Sequence, residues 1–381
     1  MRIVVARRHG FRGEGLGNEL IPWAKGWIAS QVLGARLVGP SWGLNRRRYS
    51  RNFGTSKLDF LVEDSLHRLP HHEFTADDYY ATKEIDFGAA IEKWADRRGL
   101  LRRKSFVVSV AGMWGGYSSV RSARPFLLAK LLSSRDALRN LYQAHSQLQR
   151  NKLFVAVHMR SSVNGFSALA PGESAQGKFN FVIPPDWYLW VCEALQQRYR
   201  HQIQFRFFTD HIDAHFREAV RRFNSGQCTQ NGLTECSDLL LMTQADLRVC
   251  SVSSYSLASS FLSGGPYLWY KPQLTLREDF YTLWGNEIAQ QEDSSPSSAG
   301  IEFLSNALNR PADQEGLPIN FVGTAMDIGD SLPESLVRQL DHRLCSLDSR
   351  TNLLEYGCIP ISEEWQVAAR SVQPAGTKVA S

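Results

Sequence analysis

The sequence predicts an α/β protein in which parallel sheets are covered by helices, and two observations support this fold class. Short apolar runs of strand length alternate with longer segments of helical periodicity along most of the chain. The chain has 381 residues, more than one hydrophobic core usually organises, so we expect two domains. Because alternating strands and helices are joined by right-handed crossovers, both sheets should be largely parallel.

The first half predicts one such domain, over residues 1–150. Residues 3–7 form the first apolar strand, and a glycine-rich turn follows at residues 10–17. Asn18 is placed to cap a helix that Gly34 ends. The polar stretch 46–103 has no clear pattern, whereas residues 106–110 predict a strand and residues 125–149 predict helices.

The second half repeats this scheme more clearly, over residues 151–285. The predicted strands are residues 153–160, 205–208, 247–252 and, as the final strand, 267–270. The predicted helices are residues 186–199, which Pro184 and Pro185 open, 214–223, a short one near Asp238, and one that Ser253 and Ser254 open. Residues 286–381 begin with linker composition, and we expect a linker, a C-terminal extension and a disordered tail there.

The composition limits the classes of partner. A formal net charge of +5 suits anionic ligands, but the basic runs at residues 46–48 and 102–104 lack interleaved aromatic residues, so we expect no nucleic-acid partner. The apolar run at residues 3–6 is too short for a secretory signal, and no stretch approaches membrane-spanning length. We therefore expect no integral membrane segment and a cytoplasmic location.

Polar side chains at the predicted strand ends of the second domain indicate a nucleotide-diphosphate site. Ligands of open parallel sheets collect at the carboxyl ends of the strands. Arg160 would bind phosphate oxygens, and Ser253 and Ser254 would add donors at a helix N-terminus. Asp210 ends another strand, and Asp238 could accept hydrogen bonds from a base or ribose. Taken singly, each residue also fits a surface ion pair or a helix cap.

These residues also carry a family resemblance that spans about half the chain. The second domain resembles the fucosyltransferases with an H-x-R motif, namely the α1,2 and α1,6 enzymes and, more distantly, the protein O-fucosyltransferases. The matching segments are His158-Met159-Arg160 at a strand end, the proline-led stretch 183–188, the strand 207–210, and residues 238–246 with 249–256.

A turn of the first half resembles the same family. Gly15, Gly17 and Asn18 fit its G-x-G-N-x-[LM] turn, which faces the cleft between the domains. The chain departs from the family at Ser161 and Val163, which replace the second arginine and the aspartate of H-x-R-R-x-D, and at His211, which replaces a second acid after Asp210.

The resemblance implies a GT-B fold, in which two Rossmann-like domains face each other across a cleft. It also implies GDP-fucose as donor, a glycan or glycoconjugate hydroxyl as acceptor, inversion at the anomeric carbon, and no metal or other cofactor. Arg160 would be indispensable for the donor phosphates, and His158 would belong to the donor site. Glu14, in the glycine turn, is the candidate general base, and Glu19 is its rival.

Two alternatives remain open at this point, and a third is disfavoured. The same fold could use another nucleotide sugar, or the chain could be a catalytically silent sugar-nucleotide or glycan-binding protein, because Ser161 and Val163 break the motif. A dinucleotide site is disfavoured, since the glycines at 13, 15 and 17 lack the G-x-x-G ending. The acceptor, its linkage and the oligomeric state have no signature in the sequence.

Overall fold

The described residues form two α/β units, one built mainly on each half of the chain. A computed structural model describes residues 1–6, 15–42, 47, 49–84, 86–149, 151–161, 167–168, 181–229, 234–263, 265–277, 280–282, 288–290 and 322–347. Glu14, the candidate base, lies outside these residues.

The first unit is a parallel sheet with helices around it. Its elements are β1 (Arg2–Ala6), α1 (Leu16–Val32), β2 (Arg36–Val38), α2 (Tyr49–Phe53), α3 (Lys57–Arg68), β3 (His72–Phe74), α4 (Ala76–Thr82), α5 (Phe87–Arg97), β4 (Phe106–Val110), α6 (Arg124–Leu132) and α7 (Arg135–Ser146). The strand order is β2-β1-β4-β3, and every pairing among these strands is parallel.

Helix α1 packs against this sheet and is buried along most of its length. Leu20, Ala24 and Ile28, spaced by four residues, are buried. The helix begins at Leu16 with Gly15 as its N-cap, so Asn18 lies inside the helix and the prediction that it caps α1 is wrong. Gly34 follows the helix with φ +56°, which supports the predicted helix end.

The polar stretch 46–103, which has no clear sequence pattern, contains four α-helices and a strand among its described residues. Ser56 and Thr75 start α3 and α4 with reciprocal capping boxes, and the Asp86 carboxylate caps α5. These caps satisfy N–H groups that have no partner within the helix, so short and polar helices are stable there.

The second unit is a larger sheet of the same type. Its elements are β5 (Leu153–Met159), β6 (Ser167–Ala168), β7 (Phe181–Val182), α8 (Pro185–Tyr199), β8 (Ile203–Thr209), α9 (Ala214–Arg222), β9 (Gly226–Thr229), α10 (Glu235–Thr243), β10 (Leu247–Val249), α11 (Ser254–Leu262), β11 (Tyr267–Tyr270), β12 (Thr275–Arg277), β13 (Phe280–Thr282), β14 (Ile288–Gln290), β15 (Val322–Met326) and α12 (Glu334–Cys345). Within the described residues the strand order is β12-β13-β14-β15-β11-β10-β5-β8-β9. The pairs from β14 to β9 are parallel, and those of β12 and β13 are antiparallel.

β11 is not the final strand of this sheet, contrary to the sequence-based expectation. β15 pairs with it in parallel, with Trp269 opposite Ala325. Helix α12 follows and buries Leu336 and Leu340. Residues 322–347 thus complete the second unit, although they lie within the segment 286–381 that was expected to be an extension. The limits of the two domains stay a prediction.

The two units contact each other at the carboxyl ends of their sheets. Helix α1 follows β1, helix α11 follows β10, and the N-terminal turns of the two helices are in contact. The Tyr117 and Phe261 rings, one from each unit, lie 4.8 Å apart between centroids. The predicted α/β class, with two Rossmann-like units in the GT-B arrangement, is confirmed. No helix of the described part is long and apolar enough to cross a membrane.

Candidate functional site

The switch point of the second sheet lies between β5 and β10. β8 and β9 follow on one side of β5, whereas β10 and β11 lie on the other side. Crossovers that leave in opposite directions open a crevice at the carboxyl ends of the strands, which is where ligands of such sheets bind. The chain places Arg160 directly after β5 and Ser253 at the start of α11, so two of the predicted residues border this crevice.

His158 is buried behind the crevice and holds it together. Its Nδ1 lies 2.7 Å from the Ser256 hydroxyl and 2.8 Å from that of Ser251, and its ring lies 5.5 Å from the Tyr255 ring. Burial lowers the pKa of His158 to about 4, which outweighs the opposite effect of Asp210. The imidazole is therefore neutral at pH 7 and fixes the N-terminus of α11 against the end of β5.

Arg160 and Asp210 directly follow the adjacent strands β5 and β8. The Asp210 carboxylate accepts a hydrogen bond from the Ser161 N–H at 3.1 Å, so it fixes the backbone next to Arg160. Burial lowers the pKa of Arg160, and the negative charge of Asp210 opposes that shift. An arginine stays charged under such a shift, so a cation sits in a half-buried crevice where its field is poorly screened.

The N-terminus of α11 brings backbone donors to the same place. The Ser253 hydroxyl accepts a hydrogen bond from the Ser256 N–H at 3.1 Å, which is the contact of a helix N-cap. Ser253 is 4% exposed, whereas Ser254 is partly exposed. The positive end of α11 therefore contributes mainly through its backbone and dipole.

Gly17 lets the first unit approach this helix end. A Cβ on Gly17 would overlap the backbone of Ser254 and lie 2.5 Å from the Tyr255 nitrogen, closer than real Cβ atoms come. The Gly17 carbonyl accepts a hydrogen bond from the Tyr117 hydroxyl at 2.6 Å. A glycine at this position is required for the two helices to meet, and Gly15 and Asn18 lie in the same turn.

Sequence reasoning missed Glu235, which joins the two units. Its carboxylate accepts a hydrogen bond from the Leu16 N–H at 3.1 Å. Each of its two oxygens also lies 3.3 Å from Nη1 of Arg47. The Glu235 side chain is 1% exposed and stands in the first turn of α10. Its spacing of three residues before the predicted Asp238 was the available signal, since residues i and i+3 share a helix face.

Asp238 lies one turn after Glu235 on the same helix and is also buried. Asp238 is 6% exposed. Burial raises the pKa of Tyr255, and the negative charge of Asp238 raises it further. The Tyr255 hydroxyl donates a hydrogen bond to the Glu235 carbonyl oxygen at 2.5 Å. Asp238 therefore belongs to the group of residues around the start of α11, and its role toward a nucleotide stays a prediction.

A pocket of about 120 Å³ adjoins Arg160. Its lining includes Arg160, Ser161, Tyr188, Thr209 and Asp213. The Tyr188 hydroxyl is buried and has no hydrogen-bond partner among the described residues, and burial raises its pKa well above the ordinary value. It remains a neutral donor beside the arginine.

The predicted acids differ in where the structure places them. Glu19 is 2% exposed within α1, and Glu14 lies outside the described residues, so its position relative to Arg160 stays a prediction. Among the residues that the structure covers, no three His, Cys, Asp or Glu side chains are grouped so that they could hold a metal ion.

The chain is similar in structure to glycosyltransferases at low sequence identity. Against POFUT1 in complex with GDP-fucose the identity is 13% and the TM-score 0.39, over 68% of this chain and 93% of that chain. Against NodZ, an alpha-1,6-fucosyltransferase soaked with GDP-fucose, the values are 14% and 0.36, over 68% and 92%. A family 9 glycosyl transferase from Veillonella parvula gives 10% and 0.36, over 97% and 96%. No protein-family model and no curated protein matches the chain.

Proposed function

We propose that the protein is a glycosyltransferase that moves fucose from GDP-fucose to a hydroxyl of a glycan or glycoconjugate, with inversion and without a metal ion. The observation that carries this proposal is the position of Arg160 at the switch point, beside the N-terminus of α11. A permanent cation and a positive helix end in one crevice suit the diphosphate of a nucleotide sugar.

The proposed chemistry depends on the leaving group. As the bond between the sugar C1 and the diphosphate oxygen breaks, negative charge grows on the diphosphate. Arg160 and N–H groups of α11 would stabilise that charge without reorganising, because Asp210 and His158 already fix both elements. In this scheme no metal is needed, since the cation and the helix end do the work of one.

The acceptor hydroxyl would attack C1 from the side opposite the diphosphate. A new C–O bond forms, GDP leaves with the electron pair of the broken bond, and the hydroxyl proton passes to a base. We propose Glu14 as that base, because it precedes the α1 turn that Gly17 brings against α11.

Two alternatives differ from this proposal in measurable ways. The same crevice would suit another nucleotide sugar. Ser161, uncharged and 2% exposed, stands where the H-x-R-R pattern has a second arginine, and a catalytically silent binder would tolerate this loss. A calorimetric screen of GDP-fucose, GDP-mannose, UDP-sugars and dTDP-sugars separates the donors, because at equal concentration the ligand that binds the folded state most tightly stabilises it most. Stabilisation by guanine nucleotides is expected, and transfer or hydrolysis of the bound donor excludes the silent binder.

Arg160→Ala should weaken GDP binding at least tenfold and reduce transfer more strongly, because the charge on the leaving group is greatest in the transition state. Isothermal titration and a transfer assay measure the two effects. Arg198→Ala is the matched control, since Arg198 is an exposed arginine of the same unit whose partner is Asp341. If Arg160→Ala binds and transfers as well as the Arg198→Ala control, the proposed mechanism is wrong.

A further inference from the structure

A second arginine reaches the crevice from the first unit. Arg47 follows β2, so it comes from the carboxyl edge of the first sheet, as Arg160 comes from that of the second. Its Nη1 is 3.3 Å from both carboxylate oxygens of Glu235. Its guanidinium carbon would be 4.0 Å from a Cβ added to Gly15, so Arg47 also lies against the start of α1.

A series of contacts connects Arg47 to the rest of the candidate site. Gly15 is two residues from Gly17, which packs on Ser254, and the start of α11 is bound to His158, two residues from Arg160. Burial is the main cause of the lowered pKa of Arg160, and the positive charge of Arg47 lowers it further. The two guanidinium groups therefore act on the same crevice from opposite units.

The two partners of this ion pair differ in their exposure. The Glu235 side chain is 1% exposed, whereas that of Arg47 is 44% exposed. Both contacts with the carboxylate use one nitrogen, Nη1, instead of two nitrogens of the guanidinium fork. The buried carboxylate thus fixes the position of Arg47, while nearly half of the Arg47 side chain stays exposed.

We propose that Arg47 is a second cation of the diphosphate site, supplied by the first unit and held in position by Glu235. This inference rests on the proposed function. Ser161, next to Arg160, carries no charge, so these two positions supply one cation where the diphosphate carries at least two negative charges. An anion bound between Arg47 and Arg160 would also relieve the repulsion between the two like charges. Glu235 acts as a positioning residue.

The test compares binding of GDP and of guanosine, which lacks phosphate, to Arg47→Ala and to Arg51→Ala. Arg51 lies four residues from Arg47 and forms an ion pair with Asp136 at the surface, so it is a matched control. We expect Arg47→Ala to weaken GDP binding at least tenfold and to leave guanosine binding unchanged. Arg51→Ala should bind both ligands within twofold of the parent protein.

Arg47→Ala leaves the buried Glu235 without its ion-pair partner and could therefore fold poorly. A second variant keeps the test valid in that case. Arg47→Ala combined with Glu235→Gln removes both charges, and the amide oxygen can still accept the Leu16 N–H. This double variant should show the same loss for GDP. If it binds GDP as tightly as Arg51→Ala while Arg160→Ala loses affinity, Arg47 is not part of the site. If Arg160→Ala also retains affinity, or the parent protein binds no GDP, the proposed function itself is wrong.

Discussion

At the scale of single residues, the neutral state of His158 couples the candidate site to pH. Its pKa is about 4 in the folded protein, below the ordinary value of 6.5, because of burial. The unfolded chain takes up a proton near pH 6.5 and the folded protein does not, so stability present above pH 6.5 is lost as the pH falls toward 4. Between pH 7 and pH 5 this group should lower the free energy of unfolding by about 2 kcal/mol.

The variant His158→Asn measures this contribution, because the amide cannot titrate and its nitrogen or oxygen can replace Nδ1 toward the Ser251 and Ser256 hydroxyls. Urea unfolding at pH 7 and pH 5 should show a loss about 2 kcal/mol smaller for this variant than for the parent. The control is His201→Gln at an exposed position, which should lose as much as the parent. An equal loss in His158→Asn and in the parent would show that His158 takes up a proton between pH 7 and pH 5 in the folded protein as it does in the unfolded chain.

At the scale of secondary-structure elements, the contact of α1 with α11 depends on one missing methyl group. Gly17→Ala would place a Cβ 2.5 Å from the Tyr255 nitrogen and closer to the Ser254 carbonyl group, both of which are backbone atoms that cannot move aside alone. We expect the variant to lose about 1–3 kcal/mol of the free energy of unfolding, as overpacked sites do. Chemical denaturation measures this loss.

Gly15→Ala provides the control for the overpacking argument. A Cβ on Gly15 would make only ordinary contacts, 3.8 Å from Glu235 and 4.0 Å from Arg47, and Gly15 has φ −63°, which alanine adopts. This variant should be about as stable as the parent. If Gly17→Ala is equally stable, the two helices do not approach as closely as the structure describes.

The elements that sequence predicted well are those with a local cause. β5 is a continuous buried run that is apolar except for His158, and α8 starts at a proline, so a few neighbouring residues determine each of them. The start of α1 was placed at Asn18 because its side chain suits an N-cap, yet the Leu16 N–H is bonded to Glu235, 219 residues away. A distant acceptor thus extended the helix beyond its local signal.

At the scale of the whole molecule, the candidate site divides in the same way. Arg160 and Ser253 were predicted because the carboxyl ends of parallel strands share one edge of a sheet, which needs no knowledge of the other unit. Arg47 and Glu235, 188 residues apart, meet only when the two units pack together. No pattern within either half reveals such a pair. The place of β15 beside β11 also depends on a distant partner, although both strands belong to the second unit.

Glu235 should therefore matter to the stability of the assembled molecule. Glu235→Ala removes the acceptor of the buried Leu16 N–H and the partner of Arg47, and both contacts cross between the units. We expect a loss of about 2–3 kcal/mol in guanidinium unfolding, because an unpaired buried donor costs its desolvation. Glu235→Gln should lose less, since its amide oxygen still accepts from Leu16. Glu334→Ala, which breaks an exposed pair with Arg338, should change stability by less than about 0.5 kcal/mol. Equal stabilities of Glu235→Ala and Glu334→Ala would mean that Glu235 does not hold the two units together.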